Sequence, residues 1–193
     1  MSITCTNREG LEKFMQDNLK PSRYEHSLGV EKMASELAKI YGADVEKAAF
    51  AGRYHDIAKY FDIHTTDLCI KKYDLDRKYM GNPALAHSKI AAAILEHEYG
   101  VVDEDVLNAV KSHTTGRVGM SLLEEIVYVA DAIEENRNYP ELKQLQDEAR
   151  RNLDLACLHI MNFAVQMIME KGNEIDEDTL DAREFIKERL KVE

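Results

Sequence analysis

The chain reads as all-α. Three observations carry that reading: only three prolines and nine glycines fall in 193 residues, no alternating apolar and polar run stands out, and helix-start signals recur along the sequence. In chain order, the first helix is expected over 7–19, opened by Thr6-Asn7-Arg8-Glu9. This spacing fits a capping box, in which a hydroxyl and a carboxyl satisfy free backbone N–H groups reciprocally. Ser22-Arg23-Tyr24-Glu25 fits the same box and opens 22–41, with Gly42 to close it. Helices over 44–55 and 64–73 follow. The charged, aperiodic stretch from Tyr73 to Met80 is the expected mobile connection. Asn82-Pro83 opens 83–99, proline suiting the first helical position, and Gly100 suits its end. Next come 103–113, then 121–135 behind the box Ser121-Leu122-Leu123-Glu124. The series ends with 140–151, 153–171 (closed by Gly172) and 178–191. No repeat, low-complexity segment or linker divides the chain, so residues 1–193 are expected to form one domain.

Composition narrows the function. Hydrophobic residues at 45% and charged residues at 32% suit a folded chain rather than a disordered one. With 25 basic and 36 acidic residues the formal charge is −11, which repels a nucleic-acid backbone. A small anionic substrate remains open, because a bound metal reverses the local potential. Cys5, Cys69 and Cys157 are far apart and odd in number, which suggests a reducing compartment and no disulfide framework. No signal-like start and no apolar run near ~18 residues is evident, so a cytoplasmic protein without a membrane partner is expected.

Several polar residues fall on apolar helix faces. His26 shares the stripe of Val30, Met33, Leu37 and Tyr41 at steps of three and four. His87 shares a face with Ile90, Ala91 and Ile94, His113 ends the run Val106, Ala109, Val110, and Asp131 follows Leu123 and Val127. An inward aspartate is costly unless paired, hydrogen-bonded or bound to metal. A lone core histidine is usually satisfied by a backbone carbonyl. The doublet His55-Asp56 changes the balance, since imidazole and carboxylate side by side suit one divalent cation, and further ligands of both kinds flank it. His64 and His97 read as surface residues, and His159 as packing or partner-facing. Met161, Met167 and Met169 read as core, with a homodimer face as the minority reading.

The order His26, His55-Asp56, Asp131 resembles the HD-domain phosphohydrolase signature H…HD…D. The resemblance sharpens in Arg23-Tyr24-Glu25-His26-Ser27-Leu28-Gly29-Val30, His55-Asp56-Ile57-Ala58-Lys59, His113-Thr114-Thr115-Gly116-Arg117 and Ala130-Asp131-Ala132-Ile133-Glu134 with Arg137. These look like the YqeK-type symmetrical dinucleoside tetraphosphatases, bacterial enzymes that split diadenosine tetraphosphate into two ADP. The resemblance implies an HD helical bundle with the metal site in its core, over about residues 20–138, followed by C-terminal helices over about 140–191. It implies an iron centre held by His26, His55, Asp56 and Asp131. It further implies attack of a metal-bound hydroxide on a β-phosphorus.

Imidazole and carboxylate ligands without thiolate leave Fe, Mn, Zn and Ni open. One or two ions also stay open. With two, Asp56 bridges and His87 and His113 hold the second; with one, His87 and His113 bind phosphate or protonate the leaving group. Asp56, His87, His113 and Lys59 are the expected catalytic set. Expected substrate contacts are Arg23, Lys59, His87, His113, Thr114, Arg117, Arg137 and the Ile175 segment. Each cation also has a plain reading: a solvated Lys59, an Arg137 ion pair with Glu134, and a capping Arg23. The family tends to carry His-Pro after an isoleucine, whereas here Asp176 and Glu177 follow Ile175. Two other readings stand beside the leading one. One is hydrolysis of another nucleotide (a 5′-nucleotidase or an alarmone hydrolase), and the other is nucleotide binding without turnover.

Overall fold

Capping chemistry sets most of the helix starts. In the computed structural model, which describes residues 3–192, ten α-helices and one 3-10 turn form, and no strand occurs among the described residues. The helices are α1 (Arg8–Asn18), α2 (Pro21–Tyr41), α3 (Val45–Tyr54), α4 (Ile63–Lys72), α5 (Pro83–His97), α6 (Glu104–Ser112), α7 (Leu122–Ile133), α8 (Leu142–Ala149), α9 (Leu153–Glu170) and α10 (Glu177–Leu190). Every one lies where a helix was expected, with termini differing by at most two residues.

The caps themselves divide. Ser121 and Glu124 form the reciprocal box at α7, and Asn82 accepts from the Leu85 N–H with Pro83 beginning α5. At α1 the expected box gives way: Thr6 donates its hydroxyl to the Tyr99 carbonyl at 3.0 Å, so Asn7 caps instead, accepting from Gly10. At α2 the box is absent too, because the helix begins one residue earlier at Pro21. Ser22 therefore lies inside the first turn instead of capping it, and proline at the first position carries no N–H that needs a cap. Gly42 ends α2 in the left-handed region at φ 73°, which a residue with a Cβ adopts at a cost.

The Tyr73–Met80 stretch, expected to be mobile, is pinned. Arg77–Tyr79 forms the 3-10 turn, and Tyr79 is buried with its hydroxyl donating to Asp178 at 3.2 Å. One aromatic residue anchors a segment whose charges hide any periodicity. Helix α9 departs from expectation in another way, being long and apolar enough by length and composition to cross a membrane. Here its Ala156, Cys157, Ile160 and Met161 are buried, and the helix packs against α7, α8 and α10.

α2 lies along α3 and α7, α6 packs against α3, α5 and α7, and a continuous apolar cluster runs through these contacts. Each fully buried Leu or Ile, such as Leu37, Ile90 and Ile126, contributes roughly 1.5–3 kcal/mol. The same packing brings the C-terminal ends of α3 and α6, the N-terminal half of α2, the first turns of α5 and the end of α7 toward one point.

Away from that point, Glu125 on α7 is buried beside Cys157. It accepts from Arg189 of α10 at 2.6 Å, and Arg189 also holds Asp154. Burial pushes the Glu125 carboxyl up from 4.5 to about 7, with Asp154 adding to the rise and Arg189 opposing it. The folded state therefore binds a proton that the unfolded chain has already released, so stability falls as pH rises from about 5 to 7. Glu125→Gln should flatten that slope, by of order 1–3 kcal/mol over the interval. Calorimetric Tm values of both proteins at pH 5, 6 and 7 check this. Parallel pH profiles would remove Glu125 as the source.

Candidate metal centre

Five elements each deliver one part of the centre. His26 comes from the second turn of α2, His55 and Asp56 from the turn that ends α3, His87 from α5, His113 from the C-cap of α6 and Asp131 from α7. All four histidines and Asp56 are buried, and the Asp131 side chain is 22% exposed.

Local hydrogen bonds fix how three of the rings face. The His55 Nδ1–H donates to the Gly52 carbonyl at 2.7 Å, and the His113 Nδ1–H to the Val110 carbonyl at 2.7 Å. His26 Nδ1 lies 3.0 Å from Glu134 Oε1 and donates to that carboxylate. In each ring the Nε2 lone pair is left facing inward, as in a carboxylate–histidine–metal or carbonyl–histidine–metal arrangement. Glu134 reaches His26 because residue 29 is glycine, since a Cβ there would stand 2.1 Å from Glu134 Oε2.

What those lone pairs meet is carboxylate. His26 Nε2 lies 3.0 Å from Asp131 Oδ1, and His55 Nε2 lies 3.8 Å from the same oxygen and 3.4 Å from Asp56 Oδ2. His113 Nε2 and His87 Nε2 lie 3.4 Å and 3.1 Å from Asp56 Oδ1. None of His26 Nε2, His55 Nε2 or Asp56 Oδ1 has a hydrogen-bond partner, although all three are buried. Acceptors turned toward acceptors in a dry core are unfavourable unless a cation lies among them. Two overlapping triads, His26-His55-Asp131 and His55-Asp56-His113, have ligand atoms close enough to hold one. The donor set fits a divalent transition metal: three or four imidazoles, two carboxylates and no thiolate.

Electrostatics agree with that fit. Burial would raise the Asp56 carboxyl, but His55, His113 and His87 hold it well below its ordinary value. Asp131 is likewise held down against burial by His26, His55 and Arg137. Burial lowers His113 to about 4 and His87 below its ordinary value, which keeps both rings in the neutral form that ligates metal. His55 differs: burial opposes its charging, yet Asp56 and Asp131 outweigh burial and raise it.

Cations ring the carboxylates. Arg23 donates to Asp56 Oδ2 at 3.0 Å, and Arg137 donates to Asp131 Oδ1 at 2.7 Å and to the Asp131 carbonyl. Lys59 Nζ lies 3.0 Å from His87 Nε2 and 3.6 Å from Asp56 Oδ1, and Thr114 Oγ1 lies 3.2 Å from both His87 Nε2 and His113 Nε2. Above them opens a cleft of about 330 Å³ whose lining includes Lys59, His113, Thr114, Asp131 and Arg137.

Two expected substrate contacts are not brought here. Arg117 forks onto Glu124 through two bonds of 2.6 Å, and it lines a separate cavity with Lys89 and Asp178. The partner that completes the α7 capping box thus also holds the arginine away. Ile175 precedes α10 and is absent from the lining of the metal cleft. Arg137 pairs with Asp131 rather than with the Glu134 side chain. His64 and His97 are exposed, and so is His159, which pairs with Glu148 at 2.7 Å instead of packing inward. Among the methionines Met161 is core, but Met167 lines the cleft and Met169 is exposed. Sequence reasoning named Glu134 as an ion-pair partner for Arg137 and missed its hold on His26, whose signal was a carboxylate three residues past Asp131. It also missed Tyr139 and Phe163, which carried no signal before the fold joined them.

Comparison with known proteins adds to this geometry. The model of the HD domain matches residues 23–136. The symmetrical bis(5′-nucleosyl)-tetraphosphatase of Halalkalibacterium halodurans is 36% identical over 176 residues, 90% of this chain and 94% of that one. The protein of the same name from Bacillus subtilis is 36% identical over 174 residues, with the same two coverages. A crystal structure from Clostridium acetobutylicum, of a "predicted HD superfamily hydrolase involved in NAD metabolism", superposes with a TM-score of 0.89 at 36% identity. The superposition covers 94% of this chain and 97% of that one. With its doublet, its flanking ligands and its helical frame accounted for, this chain belongs to the HD-domain family, in the branch of the symmetrical bis(5′-nucleosyl)-tetraphosphatases.

Proposed function

We propose that this protein hydrolyses diadenosine tetraphosphate symmetrically to two ADP. The observation that carries the proposal is the set of buried, unpartnered imidazole and carboxylate atoms under a cleft rimmed by Lys59 and Arg137. The relatives named for this activity, which align along nearly their whole length, support the substrate.

His26, His55, Asp56 and Asp131 would hold the first ion, for which the family resemblance implies iron. The two oxygens of Asp56 face different partners, Oδ2 toward His55 and Oδ1 toward His87 and His113. If a second ion is present, His87 and His113 would hold it together with Asp56. A cation bound there supplies Lewis acidity beside the phosphates and a nucleophilic water near neutral pH. Lys59 and Arg137 face the cleft and take up negative charge on the tetraphosphate chain, and Arg23 fixes the Asp56 carboxylate by donating to its Oδ2. Thr114 orients the neutral rings of His87 and His113. With one ion instead of two, His87 and His113 would bind phosphate or protonate the leaving group. The charge of −11 and the free cysteines favour a cytoplasmic enzyme on a small nucleotide over a nucleic-acid partner.

Asp56→Ala should abolish both metal content and turnover, whereas Lys59→Ala should keep the metal and lower kcat/KM by about 10–100-fold. Elemental analysis alongside steady-state assays separates the two, and full metal content in Asp56→Ala would sink the site assignment. An anaerobic assay of iron-loaded protein on diadenosine tetraphosphate, resolved by ion exchange, should give ADP alone. AMP with ATP would overturn the symmetrical cut, and hydrolysis of AMP instead would move the enzyme to another nucleotide substrate.

A further inference from the structure

We infer that Lys89, a buried lysine outside the cleft, is a positioning residue for the reaction: it ties α5 to the turn over 111–115 and so sets where His87, His113 and Thr114 stand relative to one another. The inference rests on the reading of the metal centre above and names a residue that touches neither the metal ligands' inward atoms nor the cleft.

Lys89 is 6% exposed, and an amine in such a place is costly unless its protons are used. Its Nζ donates to the Lys111 carbonyl at 2.8 Å and to Thr115 Oγ1 at 3.2 Å. The buried Tyr79 ring covers it from another side, with the centroid 5.6 Å away. Thr115 is buried as well, and its hydroxyl gives its proton to the Gly116 carbonyl at 2.9 Å. Oγ1 is thereby left to accept, and Lys89 is the donor it meets. A neutral amine donates both bonds as well as an ammonium does, so the tie does not depend on the charge state of Lys89.

The place of the tie gives it a catalytic consequence. α6 ends at Ser112, and its last carbonyls need donors from outside the helical ladder. Val110 takes the His113 Nδ1–H at 2.7 Å, Lys111 takes Lys89, and Ser112 takes the Gly116 N–H at 2.8 Å. Of these three donors only Lys89 comes from another helix. It anchors the turn at residue 111 and again at 115, and His113 and Thr114 lie between the two anchors. The same helix carries His87 two residues earlier, and a step of two turns a side chain by roughly 200°. α5 therefore meets the turn twice, with His87 at the metal centre, its Nε2 3.2 Å from His113 Nε2, and with Lys89 in the separate cavity behind. A slip of α5 against α6 would part the two rings from each other and from Asp56 Oδ1, and catalytic geometry tolerates little of that. The rest of the centre is held independently, His55 by Gly52, His26 by Glu134 and Asp131 by Arg137. The tie thus acts on one half of the site.

Lys89→Met removes the donors and keeps most of the stem. In iron-loaded protein it should lower kcat on diadenosine tetraphosphate by about 10–100-fold with KM little changed, while at least one ion per chain remains by elemental analysis. Lys89→Arg should recover most of kcat, since its guanidinium donates from the same place and the adjoining cavity of about 450 Å³ has room for it. Thr115→Val removes the other end of the tie and tests it alone where Lys89→Met does not fold. It should lower kcat similarly, and the double variant should lose no more than either single one. A wild-type kcat in both single variants, no recovery in Lys89→Arg, additive losses, or loss of all metal would each overturn the inference. A readout without substrate keeps it apart from the proposed activity: in histidine-labelled, zinc-loaded protein, Lys89→Met should shift the ring signals of His87 and His113 more than those of His26 and His55. That pattern in a protein without turnover removes the assigned substrate only, and turnover with equal or no ring shifts removes the role of Lys89 only.

Discussion

The structure depends on an arrangement that is unfavourable by itself: inward-facing imidazole lone pairs set against two carboxylates in the middle of an apolar helical bundle. Taking a carboxylate out of water costs several kcal/mol even after local relaxation, and Asp56 is 1% exposed. The arginines at Asp56 and Asp131 offset part of that cost, but they leave Asp56 Oδ1 and the Nε2 atoms of His26 and His55 without partners. The ring orientations are not free to relieve the conflict. Backbone carbonyls of Gly52 and Val110 and the Glu134 carboxylate hold the Nδ1 protons outward, so the Nε2 atoms stay inward. A divalent cation turns the same geometry from a liability into the tightest point of the fold.

The helical frame follows from that need. Ligands separated by up to 105 positions in sequence, from His26 to Asp131, meet because α2 packs on both α3 and α7 while α6 joins α3, α5 and α7. Two ligands fall where helices end, at His55 and His113, where a short turn can aim a side chain along the axis. Gly29 shows how closely the frame is drawn around the centre, since even a methyl group there would collide with the carboxylate that orients His26. The cleft above the centre then combines two walls of opposite character, cationic on the Lys59 and Arg137 side and aromatic on the α9 side. An amphiphilic phosphate ester is the ligand that such a pairing suits.

Much of this was legible in the sequence, for physical reasons that also mark where legibility stops. Helix positions came from caps and 3.6-residue periodicity, and inward-facing His26, Asp131 and His87 stood out because polar atoms on an apolar stripe need an explanation. Cap assignments failed where a long-range contact competed, as when Thr6 gave its hydroxyl to Tyr99, or where a proline moved the start, as at Pro21. Arg117 shows a related limit. Its loop position beside His113 said nothing about Glu124, seven residues on, which holds it in a different cavity. The aromatic wall could not be read at all. Tyr139 and Phe163 sit on different elements and carry no polar or periodic mark, so only folding reveals them as neighbours.

The measurement that bears most directly on the central constraint is thermal unfolding of the protein before and after exhaustive chelation, with metal content determined on both samples. The account predicts a transition metal in the untreated protein and a Tm lower by about 5–10 °C once it is stripped, restored by adding the ion back. A stripped protein that unfolds at the same temperature, and that takes up no metal on titration, would contradict it.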